Sequence, residues 1–186
     1  RGLDSNRDTE AEVETALQFY PNLLSRRKDV IRGYNEEGEQ EWVDAPDGDG
    51  CFPIQCLLHA YNTDGNYRHN LKAISFVAVI ARLGKESNQF TERQCGGLWI
   101  EDRYEGITII NFFSTCFPDL RYRQDYCQLV ENVYLMLLIQ LRRMGLFEKE
   151  DIFHSDLVYD VCVFDDYFPQ NLFRFLVEWD PTLLLQ

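Results

Sequence analysis

Between Arg121 and Met144 the chain carries Val130, Val133, Tyr134, Leu137, Leu141 and Met144 at helical spacing, with Leu135 and Leu138 widening the stripe and Gly145 as a stop. A segment of about six turns that is apolar on nearly every side has to be covered by several neighbours. This predicts a mostly α-helical domain, built of antiparallel helical hairpins around a central buried helix at about 121–144. The longest apolar run inside it, Val133 to Leu141, is interrupted by Gln140. It falls short of the roughly 20 residues a bilayer span needs, so no membrane segment is expected.

Local signals divide the rest of the chain. Residues 1–7 carry no pattern and are expected to be a disordered start, leaving 8–186 as a single helical domain. Thr9 and Glu12 have the spacing of a capping box, which opens a first helix through Val13, Ala16, Leu17 and Tyr20. Pro21 ends that helix and opens a second, with Leu23, Leu24, Val30 and Ile31 inward and Gly33 as stop. Residues 34–50 are acidic and rich in turn formers around Trp42, which predicts a long exposed loop. A third helix fits Cys51–Tyr61, with Pro53 in its first turn, and a turn fits 62–66. A buried helix fits Tyr67–Leu83, closed by Gly84, although the β-branched stretch Ile74–Ile80 also suits a strand. Residues 85–97 read as a loop, and 98–117 fit strand or helix. The spacing predicts another helix over Phe147–Phe164, in which 157–164 also suits a short β element, and an amphipathic one over Asn171–Trp179. Asp180 and Pro181 then have the types expected at an N-cap and first helical position. A chain that starts at Arg1 and ends on a helix opening reads as a segment of a larger protein.

Apolar residues make up 45% of the chain and aromatics 14%, enough to bury a core and exclude wholesale disorder. Thirty-one acids against 18 Lys and Arg give a net charge of -13. That balance argues against nucleic acid as a direct partner, because phosphate binding needs clustered cations. The excess is concentrated at the ends: 13 acids against 6 bases in residues 1–50, and 9 against 2 in 147–186. The acidic ends therefore predict solvated faces or surfaces for a partner with a basic surface. Six cysteines without a C-x-x-C pair, and three histidines, lack zinc-ligand spacing and predict buried thiols in a reducing compartment, cytoplasm or nucleus. The acidic run Asp44–Gly50 fails as a calcium loop. With Gly50 at the turn position, the first ligand falls on Ala45 and the closing Glu on Cys56. No phosphate loop, paired-histidine helix or serine elbow occurs, so no metal and no cofactor are expected.

One stretch points to chemistry. Asp47-Gly48-Asp49-Gly50-Cys51-Phe52 delivers a cysteine from a glycine turn to the start of an apolar helix. It is similar to the nucleophile segment of the ovarian-tumour family of deubiquitinating cysteine proteases, with Pro53 where that family carries an aromatic. His154-Ser155-Asp156 resembles the family's closing His-x-Asn/Asp. The resemblance implies a cysteine protease with Cys51 as nucleophile, His154 as base and Asp156 as its orienting partner. The absence of other chemistry motifs and the abundance of aromatics favour a different activity: a non-catalytic adaptor or scaffold domain of an intracellular protein that binds another protein. Trp42 and Trp179 are its expected anchors, with Asp44, Asp47 and Asp49 at the rim.

Overall fold

The computed structural model describes residues 8–27, 30–34, 40–44, 51–58, 61–62, 67–68, 70–101, 106–115, 124–163 and 167–185. These are mostly helical, with nine α-helices and two short antiparallel hairpins.

Helix α1 (Glu10–Phe19) begins at the expected capping box. Thr9 N–H donates to Glu12 Oε2 at 2.8 Å, and Glu12 N–H donates to Thr9 Oγ1 at 3.3 Å. Pro21 does end α1, but it opens only a 3-10 turn, Pro21–Leu23. The second helix expected up to Gly33 is instead strand β1 (Val30–Tyr34), paired antiparallel with β2 (Gln40–Asp44), which lies inside the stretch expected to be a loop. β-branched Ile31 faces Val43 in the register, and Gly33 pairs with Glu41 inside the strand instead of stopping a helix. Val30, Ile31, Tyr34, Trp42 and Val43 are residue types that suit a pleated ladder better than a helix interior.

Helix α2 (Pro53–Cys56) has Pro53 in its first turn, as expected, but lasts four residues. The chain then forms β3 (Tyr61–Asn62) and β4 (Tyr67–Arg68), paired antiparallel where a helix end and a helix start were predicted, while residues 63–66 of the expected turn lie outside the described residues. The long helix expected from Tyr67 is in fact α3 (Leu71–Ser75), capped by the Asn70 side chain, and α4 (Val77–Glu86). Gly84 does not close α4. It lies inside the helix, where a Cβ would sit 3.0 Å from Gly96 O, so it is a glycine of close packing. The predicted loop 85–97 contains a 3-10 segment, Glu92–Gly97, that crosses α4 here. Its Cys95, Gly96 and Gly97 all have positive φ (43°, 68° and 99°). The Cys95 thiol donates to Leu146 O at 3.3 Å, and burial pushes its pKa up.

Of the stretch 98–117 that fitted strand or helix, Ile109–Thr115 is helix α5, with Thr108 Oγ1 accepting from Asn111 N–H, and the described residues before it are neither. Helix α6 (Gln124–Arg143) is the long one. Its C-terminus is a Schellman motif: Leu146 N–H donates to Leu141 O, Gly145 N–H donates to Arg142 O, and Gly145 has φ 64°. Buried Val130, Tyr134, Leu137, Leu138 and Leu141 pack toward the core, and α6 meets α3, α4 and α9 (Gln170–Trp179). It is not covered on all sides, because Leu129 and Met136 stand in solvent.

The expected helix 147–164 is divided into α7 (Lys149–His154) and α8 (Leu157–Val163), because Asp156 takes a left-handed φ of 52° between them. The short β element considered for 157–164 is absent from residues 157–163. The predicted final opening is present: Thr182 N–H donates to Asp180 Oδ1 at 3.1 Å at the head of a 3-10 turn, Pro181–Leu185. Spatial neighbours are often distant in sequence, with α1 against α4, α3 against α6, α5 against α8 and α6 against α9. Arg82 of α4 fastens α1 by donating to Glu14 Oε1 at 2.8 Å. No helix among the described residues is long and apolar enough to cross a membrane.

Candidate protein-binding face

Among the described residues after Phe147, two consecutive short helices carry the two most exposed aromatics, Phe153 and Tyr159, close to several acids. α7 starts where Glu148 N–H donates to Asp151 Oδ2 at 2.7 Å, and its first turn also holds Glu150. Burial, joined by repulsion from Glu148 and Glu150, pushes the Asp151 carboxyl above the usual carboxylate range, against the opposing pull of the Glu148 N–H and His154. The corner between the helices is pinned from below. Ser155 Oγ donates to Asp151 O, and Ser155 O accepts from Asn111 Nδ2 of α5 at 2.8 Å. With Leu157 and Val161 buried, helical geometry turns Tyr159 and Val163 outward, one turn apart. Phe153 is 53% exposed and Tyr159 68% exposed, and Val163, Asp156 and Cys162 also face solvent.

The far side of α7 is anchored to the end of the chain. Lys149 Nζ lies 2.9 Å from Asp180 Oδ1, which also accepts from Thr182 Oγ1 at 2.6 Å. The Thr182 hydroxyl, followed by Lys149, holds the Asp180 carboxyl below the usual carboxylate range. A depressed carboxylate stabilises the fold above its unfolded pKa of about 4, and that contribution disappears as pH falls through the folded value. The stability difference between the wild type and Asp180→Asn is therefore expected to be full at pH 7 and smaller at pH 3, below the unfolded pKa. Urea unfolding at the two pH values measures it, and a gap of equal size at both contradicts the assignment.

The residues singled out by sequence are dispersed. Cys51 is buried two positions before the four-residue α2, which is too short for a substantial helix dipole. His154 ends α7, where its Nδ1 pairs with Glu150 O at 2.7 Å and its ring lies edge-on to Phe153. Among the described residues, the hydrogen bonds and ring contacts of His154 reach neither Cys51 nor Asp156. Asp156 instead makes the left-handed corner. Trp179 is half-buried, with its ring 5.2 Å from Phe147 and 5.7 Å from Phe175 and the Arg142 guanidinium 4.2 Å from its centroid. Trp42 and Asp44 lie on β2 with Arg32 and Val30 as register partners. Asp47 and Asp49 lie outside the described residues.

Phe153 and Tyr159 are exposed aromatics that sequence reasoning did not single out. The available signal was the inward spacing of Leu157 and Val161, which sends 159 and 163 to the opposite side once the segment is helix. No group of three or more His, Cys, Asp or Glu side chains that could hold a metal ion is present among the described residues. Compared with known proteins, the chain matches no family model, no curated protein and no solved structure.

Proposed function

We propose that this is a protein-binding domain of a larger intracellular protein, without catalytic activity, and that it seats its partner on the outer face of α7 and α8. The observation that carries this reading is the solvent exposure of Phe153, Tyr159 and Val163 within a region of nine acids and two bases. Exposed aromatics supply large contact area at low entropic cost, and charges around them steer association. The partner that fits is a protein surface with an apolar cleft edged by Lys and Arg. Asp156 and the acids of α7 form the rim on this side.

The test places a photo-crosslinking amino acid at position 159 of the intact parent protein in its own cells. A discrete crosslinked protein is expected, and the crosslink should disappear when Phe153 and Val163 are both changed to Ser. A crosslink that is indifferent to both changes overturns the assignment of the face. The cysteine-protease reading makes the opposite demand of Cys51. The purified domain is expected to leave ubiquitin chains uncleaved and a ubiquitin-based electrophile unattached, because Cys51 is buried and the hydrogen bonds and ring contacts of His154 go to Glu150 and Phe153 instead. Stoichiometric labelling at Cys51 that is lost in His154→Ala would establish the protease instead.

A further inference from the structure

The outward face of α6 has a second property that protein binding through α7 and α8 does not use. Asp125, Leu129, Asn132, Met136, Ile139 and Arg143 follow one another at spacings of four, three, four, three and four residues, the heptad seam of a helix that packs against another helix. Leu129 is 50% and Met136 63% exposed, Asp125, Asn132 and Arg143 are exposed, and Ile139 is half-buried. The seam is also self-complementary. Its order of charge is acidic at the start, neutral through the middle and basic at the end, and the only charged residue between Asp125 and Arg142 on this helix, Glu131, is turned inward and buried.

We propose that α6 is a homodimerisation face, on which a second copy of this chain packs antiparallel about a two-fold axis level with Tyr134. In that register Asp125 meets Arg143 of the second copy, Leu129 meets Ile139, and Asn132 meets Met136, each pair occurring twice, as an isologous interface requires. Charge decides the orientation. Parallel packing in register would place Asp125 against Asp125 and Arg143 against Arg143, whereas the antiparallel arrangement makes both ends attractive. The neutral middle matters equally for a chain of net charge -13, because it lets two copies meet without a column of like charges. The seam runs about 27 Å at 1.5 Å per residue, long enough for two apolar layers between its charged ends.

Sedimentation equilibrium of the 186-residue chain is expected to show a reversible monomer–dimer equilibrium. Met136→Glu should weaken the dimer at least tenfold while leaving the far-ultraviolet helical signal unchanged. Arg143→Asp alone, which sets two acids opposite each other at both ends, should weaken it about tenfold. Asp125→Lys combined with Arg143→Asp, which restores the pairing with reversed signs, should recover most of that loss. A strictly monomeric wild type at 100 µM (about 2 mg/ml) overturns the proposal. So does a dimer indifferent to Met136→Glu, and a charge-swapped double variant no better than Arg143→Asp would overturn the antiparallel register.

Discussion

Gly96→Ala will abolish cooperative unfolding or lower stability by more than about 4 kcal/mol, the range reserved for severe steric or burial defects. An alanine Cβ at position 96 would lie 1.9 Å from Ala81 O, 2.7 Å from Ala81 C and 2.9 Å from Ala81 Cα. All three atoms belong to the backbone of α4 at buried Ala81, so no rotamer change can make room. The position also sits at φ 68°, where a side chain adds strain of about 1–2 kcal/mol. Against a total stability of about 5–15 kcal/mol for a domain, the combination is not survivable at ordinary margins. Gly145→Ala provides the control. Its φ of 64° is nearly the same, but a Cβ there meets nothing within 4 Å, so only the conformational cost of about 1–2 kcal/mol is expected. Chemical denaturation of both variants measures the difference. A Gly96→Ala protein as stable as Gly145→Ala would mean that the crossing of α4 by the 92–97 segment is looser than described.

Glu131→Ala is expected to cost about 3–5 kcal/mol, because it removes a buried acceptor that several hydrogen-bond donors share. Glu131 is 1% exposed, and its carboxylate lies where the N-terminus of α9 needs an acceptor. Oε1 accepts from Asn171 N–H at 2.5 Å and Leu172 N–H at 3.1 Å, and Oε2 accepts from Tyr167 Oη at 2.6 Å and Gln128 Nε2 at 2.8 Å. The residue at the N-cap of α9 is Pro169, whose side chain offers no acceptor. A carboxylate borrowed from α6 therefore does the work of a cap, and the helix dipole favours its charge. Truncation takes this acceptor away from two amide donors and from the Tyr167 hydroxyl, and an unmade bond to a buried donor costs about 1–3 kcal/mol. Glu131→Gln keeps the volume and one acceptor, so it should cost less than the alanine variant and preserve the fold. Burial, reinforced by hydrogen bonding to Glu131, also raises the Tyr167 pKa far above the usual tyrosine value. Equilibrium unfolding of the two variants, with Tyr167→Phe as a third, apportions the network. An alanine variant within about 0.5 kcal/mol of wild type, the level of an ordinary surface change, would show that α9 is held by packing alone.

Where the sequence was legible, the signal was local and chemical. The Thr9–Glu12 box, the Pro21 break, Pro53 in a first turn, Gly145 at a C-terminus and Asp180 before Pro181 each depend on a side chain acting within four residues of its own backbone. The mostly helical class and the long helix ending before Gly145 followed from periodicity. The failures involve partners far along the chain. Nothing near Val30 announces that Ile31 will pair with Val43, and β propensity is decided by such cross-strand neighbours. Gly84 resembles a helix stop until the close approach of Gly96 explains it. Asp156 is an ordinary surface acid until its left-handed φ divides α7 from α8. That corner is also why the exposure of Phe153 and Tyr159 was hard to see. A continuous helix from 147 to 164 would not present Phe153 and Tyr159 as the two short helices do, and Trp179, chosen for its size, is engaged by Phe147, Phe175 and Arg142.

Tyr159 is the residue on which the proposed face of α7 and α8 most depends. With the protein crosslinked through position 159 immobilised as the partner, the association and dissociation of the domain can be followed at increasing salt. Tyr159→Ala is expected to speed dissociation at least tenfold with little change in association rate, as a buried anchor does. Glu150→Gln is expected chiefly to slow association, with an effect that fades as salt shortens the screening length to about 8 Å and below. Dissociation of Tyr159→Ala indistinguishable from wild type, with the helical signal intact, would contradict the placement of the binding face on α7 and α8.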